Sequence, residues 1–422
     1  MMKDIFKTLL VEWFDRDLPD LIERETKVVP SKDTITAIIG PRRVGKTFLM
    51  FSIVKDLLKK HSREEVVFID FEDNRLDGIK PDELDDLFIA HKELSDKELK
   101  YLFFDEIQQM PQWSKFLRRL NNLGKYVIVV SGSSSKLASN EVATELRGRY
   151  KSVLLLPFSF KEFLKYKNFD YDEKTEFSSN KKGVLGKLLD EYLRFGGYPQ
   201  IVKAGAVEEK RELAKTYFET IFYKDVLDRY AVKNRDIIEM LMNYLVSNNA
   251  SMFSISSFEK ILVANKIKAS KKTISLYLKY LEESFFILTA QKFSFSAKIR
   301  LMNPKKVYLV DNCFQTFLST NVTPDKGKLL ESLVMQNEKR KNLEIYYFKD
   351  KKECDFVSKD GQKILNLLQV TYELTPQNYS RETEGLKEAE NSLHVKGKII
   401  TYNKQIIDKV DTKSVTQQIL FL

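Results

Sequence analysis

The sequence predicts an α/β protein whose first domain is a parallel sheet carrying a phosphate-binding loop. Strand-like and helical stretches alternate from residue 34 to about 157, which favours a parallel sheet covered by helices on both faces. Residues 40–47 have the pattern G-x-x-x-x-G-K-T and lie between the first strand and a helix. A later apolar strand, residues 101–104, runs directly into Asp105 and Glu106. Because ligands of such sheets bind where strands end, these observations predict a nucleotide site at that edge.

The elements of this first domain, residues 1–167, alternate regularly. Strands are predicted at residues 34–39, 65–70, 101–104, 126–131 and 152–156. Helices are predicted at residues 46–60, 81–93 and 113–123. The strands are short apolar runs, as buried parallel strands are, and the helices have apolar residues at helical spacing.

Three further domains are predicted after the first. Residues 184–232 have a helical pattern broken by F-G-G-Y-P at 195–199 and are expected to form a small lid. Residues 235–320 have the element order of a winged helix-turn-helix, and residues 327–422 form a last α/β domain. The helices of these two domains are predicted at 237–246, 256–263, 271–283, 328–341 and 380–392. The strands of the last domain are predicted at 345–348, 354–357, 364–371 and 398–402.

Composition excludes several classes of protein. The chain has 422 residues, 43% of them hydrophobic, which is enough for two or three domains with substantial cores. Two cysteines and three histidines supply neither a disulfide framework nor a zinc pattern, which fits a reducing cytoplasm. No signal peptide or membrane span is predicted, so we expect a cytoplasmic protein without a membrane partner. The net charge of +10 permits nucleic-acid contact but does not establish it.

The phosphate-binding loop predicts ATP as the ligand. A strand that turns sharply into a helix directs backbone N–H groups and the helix dipole at one point. Lys46 is expected to reach the β- and γ-phosphate oxygens, and the Thr47 hydroxyl is expected to ligate Mg²⁺. The residues predicted to contact the nucleotide are Gly40, Pro41, Arg42, Arg43, Val44, Gly45, Lys46, Thr47 and Phe48.

The acidic pair after the third strand predicts the remaining chemistry. Asp105 is expected to hold Mg²⁺ through its water shell, and Glu106 is expected to polarise the attacking water. The alternative is a strand followed by two solvated acids, which the loop upstream disfavours.

The third helix of the winged-helix segment has two distinct faces. Ser270 is predicted to cap it, with Ile274, Leu278 and Leu281 on its buried face. The opposite face is basic and suits contact with DNA, and a solvated helix face is the alternative. The lysines of this proposed contact are Lys271, Lys272 and Lys279.

In their order along the chain, these motifs resemble those of the AAA-plus ATPases of archaea and bacteria that carry a C-terminal domain related in fold to PD-(D/E)xK restriction endonucleases. The resemblance covers the whole chain and implies an AAA-plus core, a helical lid, a winged helix-turn-helix and a nuclease-like α/β domain. The matching segments are 40–47, 105–108 with Trp113, 131–134, 148–149, 156–160, 195–199, 223–226, 306–311, Glu331 and 353–357.

The resemblance implies roles for several residues outside the loop. Ser131 or Ser133 would be a sensor beside the γ-phosphate, for which a turn that caps the next helix is the alternative. Arg149, favoured over Arg147, would be an arginine finger. A finger supplied by a neighbouring subunit would make the protein a homo-oligomer, and an internal salt bridge is the alternative. Lys46, Glu106 and Arg149 are thus the predicted catalytic residues.

The nuclease-like domain is predicted to be catalytically degenerate. Glu331, Glu353 and Asp355 supply carboxylates, but the strand expected to carry an acid-x-lysine pair has Gln369 and Thr371 instead. Cleavage of this type needs clustered carboxylates for Mg²⁺ and a lysine that assists the water. We therefore expect a scaffold that binds nucleic acid or a protein partner.

Three functions are compatible with these patterns. The first is an Mg²⁺-dependent ATPase whose nucleotide state is passed to the winged-helix and C-terminal domains. The second is a nucleotide-gated DNA- or protein-binding module with little turnover. The third is an ATP-gated nuclease, which Gln369 and Thr371 disfavour, whereas the acidic pair favours hydrolysis over binding alone.

Overall fold

A computed structural model describes residues 2–134, 137, 146, 148–172, 175, 178–321, 324–407 and 410–415. The chain divides into two units, Met1–Leu155 and Leu156–Leu422. Each unit is built on its own principal sheet.

The sheet of the first unit is entirely parallel, as predicted. Its order is β2-β3-β4-β1-β5, and each pair of neighbours is parallel. The five predicted strands are all present, and their ends differ from the prediction by at most two residues. The strands are β1 Ile35–Ile39, β2 Val66–Asp70, β3 Tyr101–Asp105, β4 Val127–Gly132 and β5 Tyr150–Leu154.

In the described ranges of the first unit, four α-helices accompany this sheet. They are α1 Met2–Asp15, α2 Lys46–Leu57, α3 Asp85–Leu94 and α4 Trp113–Asn122, and α2 to α4 confirm the predicted helices. In α1, Phe6, Leu10 and Trp13 lie at helical spacing and are buried. The Trp13 indole donates a hydrogen bond to the Val66 carbonyl (2.7 Å) and its ring stacks on Phe68, so α1 covers β2.

The second unit begins with a helical region. Its helices are α5 Phe160–Tyr166, α6 Ser179–Phe195, α7 Pro199–Lys203 and α8 Val207–Thr220, with a π-helical continuation over Ile221–Asp228. The predicted break at the glycine pair is confirmed, since α6 ends at Phe195 and α7 begins at Pro199. These helices agree with the predicted helical character of residues 184–232.

Asp311 packs against this break and explains why its first residue, Gly196, is a glycine. Its carboxylate accepts hydrogen bonds from the Gly197 N–H (2.8 Å) and from the Cys313 N–H (2.9 Å), which caps the helix α13, Asn312–Leu318. Gly196 has φ of 74°, and a Cβ there would overlap the Asp311 carboxylate. The motifs at residues 195–199 and 306–311 are therefore in contact, through the Asp311 carboxylate and the backbone of the glycine pair.

The next segment has the element order predicted for a winged helix. Its helices are α9 Arg235–Ser247, α10 Ile255–Ala264, α11 Lys271–Glu283 and the short α12 Ala297–Met302. Its strands are β6 Ser251–Phe253, β7 Ile287–Lys292 and β8 Lys305–Leu309, with β8 antiparallel to both others. The predicted cap of α11 is confirmed, because the Ser270 hydroxyl accepts a hydrogen bond from the Thr273 N–H (3.1 Å).

The last segment shares its sheet with residues 235–320, the predicted winged-helix segment. Its helices are α14 Lys326–Arg340 and α15 Tyr379–Leu393. Its strands are β9 Glu344–Lys349, β10 Glu353–Asp360, β11 Lys363–Val370, β12 Gly397–Thr401, β13 Ile406–Ile407, β14 Val410–Asp411 and β15 Lys413–Ser414. One sheet of order β15-β12-β11-β10-β9-β7-β8-β6 results, because β7 and β9 pair in parallel at Gln291–Tyr346 and Lys292–Tyr347. The predicted domains 235–320 and 327–422 thus contribute to one eight-stranded sheet.

Helix α15 packs on this mixed sheet through an apolar cluster. The cluster contains Phe348, Cys354, Val357, Leu367, Leu386, Ala389 and Ile399. Both cysteines of the chain are buried free thiols. None of the helices in the described ranges is long and apolar enough to cross a membrane.

Replacement of Gly385 by alanine should destabilise the second unit. Gly385 lies in α15, where an added Cβ would overlap the Glu353 carbonyl of β10 and push the helix off the sheet. We expect a loss of about 1–3 kcal/mol in the free energy of unfolding, measured by chemical denaturation. Gly183→Ala is the control, because a Cβ on this helical residue meets no atom within 4 Å. This substitution should raise the free energy of unfolding by about 0.5–1 kcal/mol. Equal effects of the two substitutions would contradict the close packing of α15.

Candidate functional site

The candidate site lies where three neighbouring strands of the parallel sheet end. Strand β4 lies between β3 and β1, and Ile39 of β1 pairs with Gly132 of β4. The residues that follow or end these strands, Gly40, Asp105 and Ser131, therefore meet at one edge of the sheet. The sequence prediction of a site at this edge is consistent with their placement.

The loop between β1 and α2 has the backbone of a phosphate cradle. Gly40 has φ of 155°, Arg43 of 67° and Gly45 of 93°, and Lys46 is the first residue of α2. A Cβ at position 40 would overlap the Leu155 carbonyl, so this position requires glycine. The helix N-terminus and the loop N–H groups form the anion-binding arrangement that the sequence predicts.

Lys46 is buried within the loop, with 6% of its surface exposed. Its ammonium donates to the carbonyls of Gly40 (3.3 Å) and Pro41 (3.1 Å) and forms an ion pair with Glu106 (3.2 Å). The lysine and the glutamate predicted to act on the nucleotide are therefore in contact with each other.

Asp105 is held by two hydroxyl groups. Thr47 Oγ1 donates to Asp105 Oδ2 at 2.5 Å, and the Ser131 hydroxyl donates to Asp105 Oδ1. Burial, and next the Glu106 carboxylate, raise the pKa of Asp105 above its ordinary value. A hydroxyl and a carboxylate side by side are hard oxygen donors, so Thr47 and Asp105 fit the predicted Mg²⁺ position.

Glu106 has a left-handed backbone conformation, with φ of 46°, and is 8% exposed. One carboxylate oxygen faces Lys46, and the other accepts hydrogen bonds from the Gln108 amide and from the Ser133 N–H (3.2 Å). Burial alone would raise its pKa, but Lys46 and Gln108 outweigh burial and lower the pKa to about 2. The carboxylate is therefore an ionised acceptor, suited to orienting a water molecule.

The two predicted sensor serines both contact the acidic pair. Ser131 accepts a hydrogen bond from the Glu106 N–H (3.1 Å) while it donates to Asp105. Ser133 meets Glu106 through its backbone. Gln108 belongs to the same network, and its position two residues after the acidic pair is the sequence signal that could have identified it.

The remaining predicted nucleotide contacts surround the loop. The Arg42 guanidinium forms an ion pair with Glu72 (2.7 Å), and Phe48 is 51% exposed on α2. Arg24, which no local pattern singled out, is 8% exposed and donates a hydrogen bond to the Val44 carbonyl at 2.8 Å. Arg24, which precedes β1 in the sequence, thus holds the loop backbone at Val44 by a contact from outside the loop.

Arg149 lies at the opposite edge of the sheet from the loop. Its carbonyl accepts a hydrogen bond from the Ile35 N–H (3.0 Å) at the first residue of β1, whereas the loop follows the last residue. Five strand residues place roughly 16 Å between these ends, too far for Arg149 to reach its own loop. Arg147 lies outside the described residues.

Arg149 shares a small cavity with a second arginine. The cavity measures about 120 Å³ and is lined by Ile35, Arg118, Asn121, Asn122, Leu146 and Arg149. In the part of the chain that the structure describes, neither guanidinium has an ion-pair or hydrogen-bond partner. Two such groups and two amides favour an anionic ligand.

The basic face of α11 has the predicted orientation. Ile274, Leu278 and Leu281 are buried, and Lys271, Lys272 and Lys279 are exposed. Glu259 lies 3.7 Å from Lys271, and Glu283 lies 3.6 Å from Lys279. Part of the positive charge of this face is therefore offset locally.

The carboxylates predicted in the last domain do converge, around a lysine. The Lys306 ammonium of β8 contacts Glu331 (2.8 Å), Asp355 (2.8 Å) and Glu353 (3.0 Å). A lysine is therefore present in the cluster, but it comes from β8 and not from the strand that ends at Gln369 and Val370.

Gln369, at the position expected for an acid, is hydrogen-bonded on both sides of its amide. It donates to the buried Glu382 (2.7 Å) and accepts from the Asp355 N–H (3.3 Å). Over the described ranges, no group of three or more histidine, cysteine or acidic side chains has an arrangement that could hold a metal ion.

Comparison with known proteins identifies the domain that contains the candidate site. Residues 32–164 match the model of the AAA domain, and residues 186–324 match a domain of unknown function, DUF8612. The uncharacterised protein MJ1544 of Methanocaldococcus jannaschii is 39% identical over 395 residues, 92% of this chain and 86% of that protein. The chain belongs to the family of this archaeal protein. An uncharacterised protein of Haemophilus influenzae is 29% identical over 384 residues, 89% of this chain and 91% of that protein.

Two solved structures are similar at low identity. The Walker-type ATPase PABY2304 of Pyrococcus abyssi has a TM-score of 0.39 and 17% identity, covering 75% of this chain and 95% of that chain. The Aeropyrum pernix ORC1 protein, solved in complex with DNA, has a TM-score of 0.31 and 11% identity, covering 79% of this chain and 91% of that chain.

The AAA domain includes all the predicted nucleotide-binding, sensor and catalytic residues, whereas Arg24 precedes it. The loop, the acidic pair, both serines and Arg149 all lie within residues 32–164. An AAA-type P-loop ATPase domain is therefore confirmed, whereas the nuclease-like fold of residues 327–422 stays a prediction.

Replacement of Arg24 by alanine should weaken nucleotide binding. The loop backbone at Val44 would lose a charge-assisted hydrogen bond, an interaction of about 1.5–3 kcal/mol. We expect the Kd for ATP, measured by calorimetry, to rise about tenfold or more. Lys27→Ala is the control, because Lys27 is exposed and pairs only with Glu23 on the surface. An unchanged Kd in Arg24→Ala would show that the loop keeps its conformation without this contact.

Proposed function

We propose that this protein is an Mg²⁺-dependent ATPase. The observation that carries the proposal is the single network joining Lys46, Glu106, Ser131, Asp105 and Thr47 at the end of the P-loop. All the groups needed to bind a triphosphate, position a metal ion and orient a water molecule are within one hydrogen-bonded set.

The contacts of Lys46 support a change of partner when ATP binds. Phosphate oxygens offer the ammonium a stronger acceptor than the carbonyls of Gly40 and Pro41. The exchange releases Glu106, which then orients water with its other contacts, Gln108 and Ser133, in place. Mg²⁺ would be held by Thr47 and Asp105 and would neutralise charge on the β- and γ-phosphates. Ser131, hydrogen-bonded to the Asp105 carboxylate and to the Glu106 backbone N–H, is suited to report the loss of the γ-phosphate.

The junction between the units supports transmission of the nucleotide state. Leu155, the last residue of the first unit, donates a hydrogen bond to the Ile39 carbonyl (2.7 Å), and its own carbonyl packs against Gly40. A shift of the P-loop backbone therefore displaces the residue after which the second unit begins. We infer that ATP binding and hydrolysis drive a conformational change in the second unit, a known route for nucleotide switches.

Replacement of Glu106 by glutamine should abolish turnover while ATP binding is retained. Without its carboxylate the water is not oriented, so kcat should fall about 10²–10⁴-fold. Because Lys46 no longer pairs with a carboxylate, the Kd for ATP should decrease. Turnover would be measured with and without DNA at several protein concentrations.

Glu72→Gln is the control for this experiment, since Glu72 pairs with Arg42 and not with Lys46. Full activity in Glu106→Gln would contradict the role of Glu106. Tight ATP binding by the wild type without turnover under any condition would favour the second candidate, a nucleotide-gated DNA-binding module. The exposed lysines of α11 are the observation that favours this second candidate function.

The position of Arg149 supports a finger that acts across a subunit interface. We propose that Arg149, with Arg118, binds the γ-phosphate held by a neighbouring copy of the chain. The two guanidinium groups line one cavity at the sheet edge opposite the P-loop. Such a charge stabilises the transferring phosphoryl group and makes activity depend on assembly.

Arg149→Ala and Arg118→Ala should each lower kcat, the former by about 10³-fold or more. Mixing inactive Arg149→Ala with inactive Glu106→Gln should restore activity, because a mixed interface combines an intact Glu106 with an intact Arg149. Arg119→Ala is the matched control. Arg119 is the residue after Arg118 in α4, but its guanidinium pairs with Asp85 and does not line the cavity. Failure of the mixture to regain activity, with both single variants inactive, would argue against a finger in trans.

A further inference from the structure

Lys306 is a buried cation surrounded by three carboxylates. Only 5% of its surface is exposed, although lysine is seldom buried without compensation. Its ammonium lies 2.8 Å from Glu331 Oε1, 2.8 Å from Asp355 Oδ1 and 3.0 Å from Glu353 Oε1. Glu353 and Asp355 accept hydrogen bonds from the ammonium, and Glu331 forms an ion pair with it. An ammonium has three N–H protons, which matches the number of carboxylates around Lys306.

We propose that the Lys306 ammonium is a built-in cation that occupies the place where a nuclease-type site would hold a divalent metal, and that it closes this carboxylate cluster to Mg²⁺. The inference concerns the second unit alone and does not depend on the proposed ATPase activity.

The carboxylate oxygens support this assignment, because three of the six also accept hydrogen bonds from other donors. Asp355 Oδ2 accepts from the Val370 N–H (2.8 Å), and Glu353 Oε2 pairs with Lys349 (3.2 Å). Glu331 Oε1 also accepts from the Tyr308 hydroxyl (2.7 Å). Mg²⁺ demands near-octahedral oxygen ligands at about 2.0–2.1 Å. The oxygens of this cluster are instead oriented toward N–H and O–H donors.

The charges of the cluster also balance without a metal ion. Lys306 and Lys349 face Glu331, Glu353 and Asp355, which leaves one carboxylate in excess. Burial raises the pKa of Glu331 to about 7, so this group takes up a proton near neutral pH. Burial would lower the pKa of Lys306, but the neighbouring acids outweigh burial and raise it well above its ordinary value. The ammonium therefore stays protonated, and a divalent cation would be repelled unless it displaced Lys306.

The position of Lys306 along the chain gives the cation a structural role. Lys306 and Tyr308 are two residues apart on β8 and therefore lie on the same face of the sheet. The acids come from α14 and from β10, beyond the predicted boundary between the winged-helix and C-terminal segments. The ammonium thus fastens β8 to two elements of the following segment, a function that a metal ion has in other folds.

The test measures Mn²⁺ binding to the full chain without nucleotide, by electron paramagnetic resonance of free Mn²⁺. Lys306→Met should bind one more Mn²⁺ per chain than the wild type, because the carboxylates lose their resident cation. Its unfolding temperature should fall by roughly 6–15 °C and should recover when Mn²⁺ is added. Lys305→Met is the matched control, because Lys305 pairs with Glu282, outside the cluster, and should bind no additional Mn²⁺. Any Mn²⁺ bound at the P-loop is the same in all variants, so it does not change the difference in Mn²⁺ stoichiometry between them.

A second comparison decides the question even if Lys306→Met does not fold. Asp355→Asn should leave the Mn²⁺ stoichiometry of the otherwise unaltered chain unchanged, because the proposal places no metal at Asp355. A lower stoichiometry in Asp355→Asn would overturn the proposal, since it would show that the cluster binds a metal beside the ammonium. A folded Lys306→Met variant that gains no Mn²⁺ would overturn it as well.

Discussion

The first unit depends on one geometric constraint, the common direction of its strands. Parallel strands place all their carboxyl ends at one edge of the sheet. In the order β3-β4-β1, the ends of three neighbouring strands therefore bring the P-loop, Asp105 and Ser131 within hydrogen-bond distance. The same constraint places Arg149, which precedes β5, at the other edge. One sheet thus separates the loop predicted to bind phosphate from the arginine proposed to act on a neighbour's phosphate.

Each unit contains carboxylates held by a buried lysine, but the two lysines differ in how firmly they are bound. Lys46 contacts one carboxylate and two backbone carbonyls, which a phosphate group can outcompete. Lys306 contacts three carboxylates. The first lysine is therefore an exchangeable counter-ion suited to ligand binding, and the second is a fixed one. The number of charged acceptors around each ammonium accounts for this difference.

The sequence was informative where structure is set by local pattern. All five strands of the first sheet, the P-loop and the cap at Ser270 follow from apolar runs, glycines and capping chemistry in short segments. Arg24 and Lys306 could not be predicted in this way, because the groups that bury them come from distant parts of the chain. Lys306 lies within the strand β8, and a lysine within a strand would ordinarily face solvent. The parallel pair β7–β9 also lacked a local signal, since it involves two residues on each strand.

The shared sheet limits how this chain can be divided. A chain ending before residue 327 would lack β9 and would leave the edge of β7 open, a template for pairing with other chains. It would also separate Lys306 from Glu331, Glu353 and Asp355. Residues 235–320 and the last segment therefore complete one sheet, and separating them would expose a strand edge on each side of the β7–β9 pair.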